Sequence, residues 1–101
     1  MNIVHADSTN FEEKVLNNEK TVILDFYADW CGPCRMLGPV LENVANERED
    51  LTIVKVNVDD NPDLASAYDV TSIPALFVIK NGKTVNQAIG FMPKESILEL
   101  V

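Results

Sequence analysis

Apolar positions in this chain fall into alternating strand-like and helix-like stretches. Ile3 to His5 is a short candidate edge strand. Thr9-x-x-Glu12 has capping-box spacing and opens a first helix through Asn17, with Phe11, Val15 and Leu16 facing inward. Thr21 to Tyr27 is β-rich and apolar on both faces, as a buried central strand requires. From Pro33 to about Glu49, Leu37, Val40, Leu41 and Val44 recur at the i, i+3, i+4, i+7 spacing of a helix. Pro39 removes one hydrogen bond from that helix. A kink is expected there rather than an end, because the period continues beyond it.

Thr52 to Val58 is a second buried strand, broken only by Lys55 and Asn57. Asp60 or Asn61 caps a short helix that has Pro62 at its first position and Leu64, Ala65 and Tyr68 on its apolar side. Ala75 to Lys80 is a further strand. Asn81-Gly82 signals a hairpin turn, and Thr84 to Ile89 is the antiparallel partner. Pro93 opens a last helix with Ile97, Leu98 and Val101 inward. The order βαβαβαββα predicts an α/β fold. Strands joined through helices pair in parallel, while the closing hairpin is antiparallel, so the sheet is mixed.

A chain of 101 residues, 47% hydrophobic, fits one domain, 1–101, with one core. No apolar run approaches the roughly 20 residues that span a bilayer. Met1 to Asn10 lacks the pattern of a signal peptide, so a cytoplasmic location is expected. The net charge of −8 disfavours nucleic acid and anionic membrane surfaces as partners. The acids are scattered (Glu12, Glu13, Glu42, Glu47, Glu49, Asp50), a distribution that keeps a small protein soluble and monomeric.

Candidate chemistry is concentrated in Trp30-Cys31-Gly32-Pro33-Cys34, which holds both cysteines at a strand-to-helix junction. Cysteines three apart on a first helical turn face the same way, with about 5–6 Å between Cβ atoms. That is slightly wide for a disulfide, but an irregular first turn closes the gap. Cys31 falls at the helix start, where free N–H groups and the helix dipole stabilise a thiolate. Cys34 lies one turn deeper and is expected to be less exposed. In this reading Cys31 attacks a partner disulfide, and Cys34 then attacks Cys31 and releases the reduced partner. Pro33 sits where its missing N–H costs nothing. Neither intervening residue is histidine, so a reductant is expected over an oxidant.

Three other readings compete. Structural zinc wants four ligands, whereas the cysteines and His5, on a distant strand, give three at most. A permanent disulfide would close a very small loop and add little stability. Inert buried cysteines sit poorly with Trp30, Gly32 and Pro33, which read as an exposed turn.

Asp25 interrupts the best-buried strand, on the face it shares with Ile23 and Tyr27. A carboxylate there is costly unless paired or neutralised. Beside the cysteine pair it reads as a proton acceptor for Cys34, and otherwise as a polar group satisfied by the backbone. Lys55, which interrupts the neighbouring strand, is its candidate partner. Pro74 follows Ile73 and opens a strand; the bond between them can be cis or trans, with trans the commoner state. Trp30 either packs against the helix start or offers an apolar contact to partner polypeptides.

These residues together resemble the thioredoxin family over nearly the whole chain. Asp25-Phe26-Tyr27-Ala28-Asp29-Trp30-Cys31-Gly32-Pro33-Cys34 is similar to its active-site strand and turn. Pro39, Lys55 to Asp59, Ile73-Pro74 with Ala75 to Lys80, Asn81-Gly82 and Gly90 match the rest of its pattern. The resemblance implies a thioredoxin fold, with a mixed five-stranded sheet flanked by four helices. It implies a cis Ile73–Pro74 bond against the disulfide, with the Ile73 backbone pairing to an extended partner segment. It implies a shallow groove formed by Trp30, Gly32, Pro33, Ile73, Pro74 and Gly90, and Asp25 coupled to Lys55 for proton transfer. No bound cofactor or metal is implied. Electrons would come from NADPH through a flavin-containing thioredoxin reductase. Client proteins such as peroxiredoxins, ribonucleotide reductase and methionine sulfoxide reductase would receive them. Tyr27 stands where many members carry tryptophan, Ala75 replaces a frequent threonine, and Arg35 a frequent lysine. Phe91 makes the groove rim bulkier, and the last helix stops early at Val101. The leading expectation is a cytosolic protein-disulfide reductase. The alternatives are an oxidant or isomerase of the same fold, or a non-catalytic binding module built on it.

Overall fold

The computed structural model describes residues 2–101. Five strands, β1 (Ile3–His5), β2 (Thr21–Tyr27), β3 (Leu51–Asn57), β4 (Ala75–Lys80) and β5 (Lys83–Ile89), form one sheet in the order β1-β3-β2-β4-β5. β1 and β2 both pair with β3 in parallel, while β4 runs antiparallel to β2 and β5 to β4. Three α-helices, α1 (Gly32–Glu47), α2 (Pro62–Ala67) and α3 (Lys94–Leu100), and a π-helical turn, Glu12–Leu16, complete the described chain. This is the α/β architecture that the resemblance implies, with a mixed five-stranded sheet and four helices.

The central strand splits the core in two. Val22, Leu24 and Phe26 of β2 face a cluster with Phe11, Val15, Val56 and Phe77. Ile23 faces the opposite cluster, built from Leu37, Leu41 and Val44 of α1, Leu76 of β4 and Ile97 of α3. Strand alternation therefore puts Asp25 on the α1 side, at the C-terminal end of β2, the end from which the chain turns into α1.

Several local expectations are corrected. The capping box at Thr9 does not form. Asp7 accepts the Thr9 and Asn10 amides and the Thr9 hydroxyl instead, and the next turn closes through Asn17 N–H to Glu12 O at 2.9 Å. That wider i to i−5 turn leaves Leu16 exposed, not inward. α1 ends at Glu47, where the Arg48 amide bonds Val44 O, and its helix continues through Pro39. Asn61 occupies the N-cap position of α2, but its side chain does not cap. It accepts from the Ser8 amide and donates to Asn57 O, tying the first loop to β3.

Candidate active site

α1 begins where Cys31 ends an extended segment, at φ −86° and ψ 110°. Its sulfur accepts the Cys34 N–H at 3.2 Å, one of the orphan amides of the first turn. Pro33 sits in the same turn without an N–H to satisfy. This geometry brings the Cα atoms to 5.2 Å, and Cys31 and Cys34 are joined as a disulfide. Both residues are equally buried, at 5% exposure, so the expected depth difference is absent at the level of the whole residue.

The loop before the pair is held from outside. Trp30 is 68% exposed, yet its indole N–H donates to Asp59 Oδ2 at 2.9 Å. Arg35 Nη1 donates to the Asp29 carbonyl at 2.8 Å. Neither anchor was foreseen. Asp59 lies in an acidic run before a helix, a pattern that usually signals nothing beyond capping, and Arg35 on an exposed helix face reads as a solvated charge.

On the facing side the Ile73–Pro74 peptide is cis, as the resemblance implied and the base rate did not. The Ile73 carbonyl oxygen lies 3.8 Å from Cys31 Sγ. Pro74 is buried and its carbonyl accepts the Gly90 N–H at 2.8 Å, with Gly90 at φ +97°. An apolar groove of about 170 Å³ is lined by Trp30, Val58, Ala65, Val70, Thr71 and Ile73. Of the six residues expected to form the groove, Trp30 and Ile73 line this one. Pro33 is exposed at the helix start, Gly32 is half-buried, and Pro74 and Gly90 shape the loops behind. Val58 and Ala65 read from the sequence as core, and nothing in it marks Val70 or Thr71 as groove-lining.

Asp25 is 1% exposed, and its Oδ1 has no hydrogen-bond partner among the described residues. Burial pushes its pKa up to about 7, against the opposing pull of the Lys55 charge. In the β2–β3 register Asp25 lies directly beside Lys55. The ammonium of Lys55 sits over the Tyr27 ring, 4.9 Å from its centroid, and no ion pair to Asp25 forms among the described residues. A cavity of about 380 Å³ opens between these elements, lined by Tyr27, Ala28, Asp29, Cys34, Arg35, Gly38 and Lys55. It is roomy enough for water beside Cys34. Among the described residues no three His, Cys, Asp or Glu side chains are grouped to hold a metal, and no helix is long and apolar enough to cross a membrane.

The family model described as Thioredoxin matches residues 2–101. The chain is 45% identical over 97 residues to a thioredoxin of Chlorobaculum thiosulfatiphilum, covering 95% of this chain and 90% of that one. It is 47% identical over 93 residues to thioredoxin 2 of Chlorobaculum tepidum, covering 91% and 85%. It is 47% identical over 102 residues to a thioredoxin of Bacillus subtilis, covering 100% and 96%.

Proposed function

This chain belongs to the thioredoxin family, and from that premise we propose that Cys31 is its attacking thiol, Cys34 its resolving thiol and Asp25 the proton acceptor between them. The chain is a thiol–disulfide oxidoreductase of the protein-disulfide reductase type. Its family works without a prosthetic group, with a reductase and disulfide-bearing proteins as partners.

The reduced Cys31 thiolate attacks a client disulfide, forms a Cys31–client bond and expels one client thiolate. Asp25 takes the Cys34 proton, directly or through water in the cavity beside Cys34. The Cys34 thiolate then attacks Cys31 and releases the second client thiolate. Two electrons pass to the client, and the Cys31–Cys34 disulfide remains. The carrying observation is that disulfide itself, seated on the first turn of α1 with the Cys34 amide on the Cys31 sulfur. The exposed Trp30, the groove beside it and the Ile73 carbonyl near Cys31 support docking of an extended client segment across Trp30, Gly32, Pro33, Ile73, Pro74 and Gly90. Lys55, next to Asp25 in register, modulates its charge.

Re-reduction by NADPH through a flavin-containing thioredoxin reductase completes the cycle. Peroxiredoxin, ribonucleotide reductase and methionine sulfoxide reductase are the client types that fit, in the cytoplasm, with the chain acting as a single-domain monomer. Cys34→Ser tests the scheme. The variant should accumulate mixed disulfides through Cys31 and lose turnover. Full reductase activity without Cys34 would sink the two-cysteine mechanism, and client binding that survives loss of both thiols would favour a scaffold instead.

A further inference from the structure

Three strands place ionisable side chains in one row on the α1 side of the sheet. His5 of β1 pairs in register with Lys55 of β3, and Lys55 with Asp25 of β2. The next residue of β4 in that row is Leu76, which carries no charge. The Asp25 carboxyl has no hydrogen-bond donor on Oδ1, so its ionisation is governed by burial and by nearby charge. Lys55 is the positive charge that acts on it, and a long lysine stem can turn its ammonium toward solvent or back along the sheet. Tyr27 limits that freedom. Its ring lies under the Lys55 ammonium at 4.9 Å and is flanked edge-on by the His5 ring at 6.3 Å.

We propose that Tyr27 is a positioning residue of the exchange reaction: its ring face holds the Lys55 ammonium on the Asp25 side of the sheet, so that the charge of Asp25 is controlled through the ring. This rests on the reading of Asp25 as proton acceptor. Other charges face the cluster. Asp29 and Asp60 act on Tyr27, Arg35 and Asp29 line the cavity shared with Lys55, and His5 closes the β1 edge. Asp29 and Asp60 are negative and exposed, and Arg35 is engaged by the Asp29 carbonyl. Lys55 is thus the cation that the Tyr27 ring positions.

The test is the titration midpoint of the Asp25 carboxyl, followed by carbon NMR in the folded protein. Tyr27→Leu should raise that midpoint by up to roughly half a pH unit, the ceiling set by the energy of a partly exposed cation–π contact. With Lys55→Met already present, Tyr27→Leu should move it no further, whereas a merely structural role would act equally in both backgrounds. Tyr27→Phe should keep the wild-type midpoint. Should Tyr27→Leu not fold, Tyr27→Trp serves, since the indole is the better platform for a cation and should lower the midpoint. A midpoint indifferent to Tyr27→Leu or Tyr27→Trp, or equally sensitive to Tyr27→Leu with and without Lys55, overturns the proposal. The resolving-step rate profile should shift with the midpoint. A midpoint that responds to Tyr27 while the profile ignores Asp25→Asn would overturn the proton-acceptor role and leave the Tyr27–Lys55–Asp25 coupling standing.

Discussion

Burial of Asp25 ties its protonation to fold stability. Its carboxyl titrates near 3.8 in an unfolded chain and at about 7 in the fold, with burial the larger cause. A raised acid binds more protons folded than unfolded. The Asp25 contribution to stability is therefore greatest below the unfolded value, falls as pH rises from about 4 to about 7, and is level above that. Asp25→Asn removes the charge but keeps the shape. Its unfolding free energy from denaturant titration should match wild type near pH 4 and exceed it at pH 8, by about 2–4 kcal/mol. A constant gap across that range would show that the charge is not what the fold resists. The same substitution should slow the resolving step near neutral pH while leaving client binding little changed. Unchanged pH–rate behaviour would remove Asp25 from the mechanism. Asp25 was legible in the sequence because a carboxylate in an apolar strand contradicts its surroundings. Tyr27 was not, because an aromatic in a strand agrees with them, and its cation contact depends on a cross-strand register that no local pattern encodes.

Elements were legible where periodicity set them and obscure where side chains competed for backbone groups. β2, α1 and the β4–β5 hairpin lie within a residue or two of their expected bounds, because long periodic runs and Asn81-Gly82 leave few alternatives. Asn81 and Gly82 both take positive φ, 53° and 79°, which a two-residue hairpin turn demands. The first helical segment forms, but it starts differently, because the Asp7 carboxylate captured the Thr9 amide and hydroxyl that the capping box needed. The two positive-φ glycines differ in a way that only packing reveals. A Cβ on Gly82 would meet the Leu16 carbonyl oxygen at 3.0 Å, whereas one on Gly90 would meet nothing within 4 Å. Gly90→Ala should therefore cost only the left-handed backbone penalty, about 1 kcal/mol. Gly82→Ala should cost more, about 2–3 kcal/mol, because the hairpin must also shift off Leu16. Equal losses in chemical denaturation would rule out that contact as the difference.

At the scale of the whole molecule, the helical crossovers and the closing hairpin foretold a mixed sheet, but the strand order did not follow from them. β1 precedes every other strand yet sits outside β3, since an outer position can be filled from either end of the chain without altering local pattern. Charge acts at this scale too. Sixteen acidic side chains face eight basic ones. The ion pairs among the described residues, Lys14–Glu13, Arg48–Asp50 and Lys94–Glu47, lie at the surface, where solvent screens them. Folding brings the uncompensated acids together, so self-repulsion opposes the compact state and salt relieves it. Raising sodium chloride from about 10 to 500 mM at pH 7.5 should raise the thermal midpoint, because this range shortens the screening length from roughly 30 Å to under 10 Å. Near the isoelectric point of about 4.4 the net charge vanishes, and the gain should vanish with it. A midpoint that falls with salt at pH 7.5 would mean that the surface pairs outweigh the repulsion. Client docking should follow a different rule. The proposed contact face offers Trp30, Ile73 and an apolar groove, so client affinity should hold at high salt even as stability rises, and a steep loss of affinity with salt would mark charge as the recognition element instead.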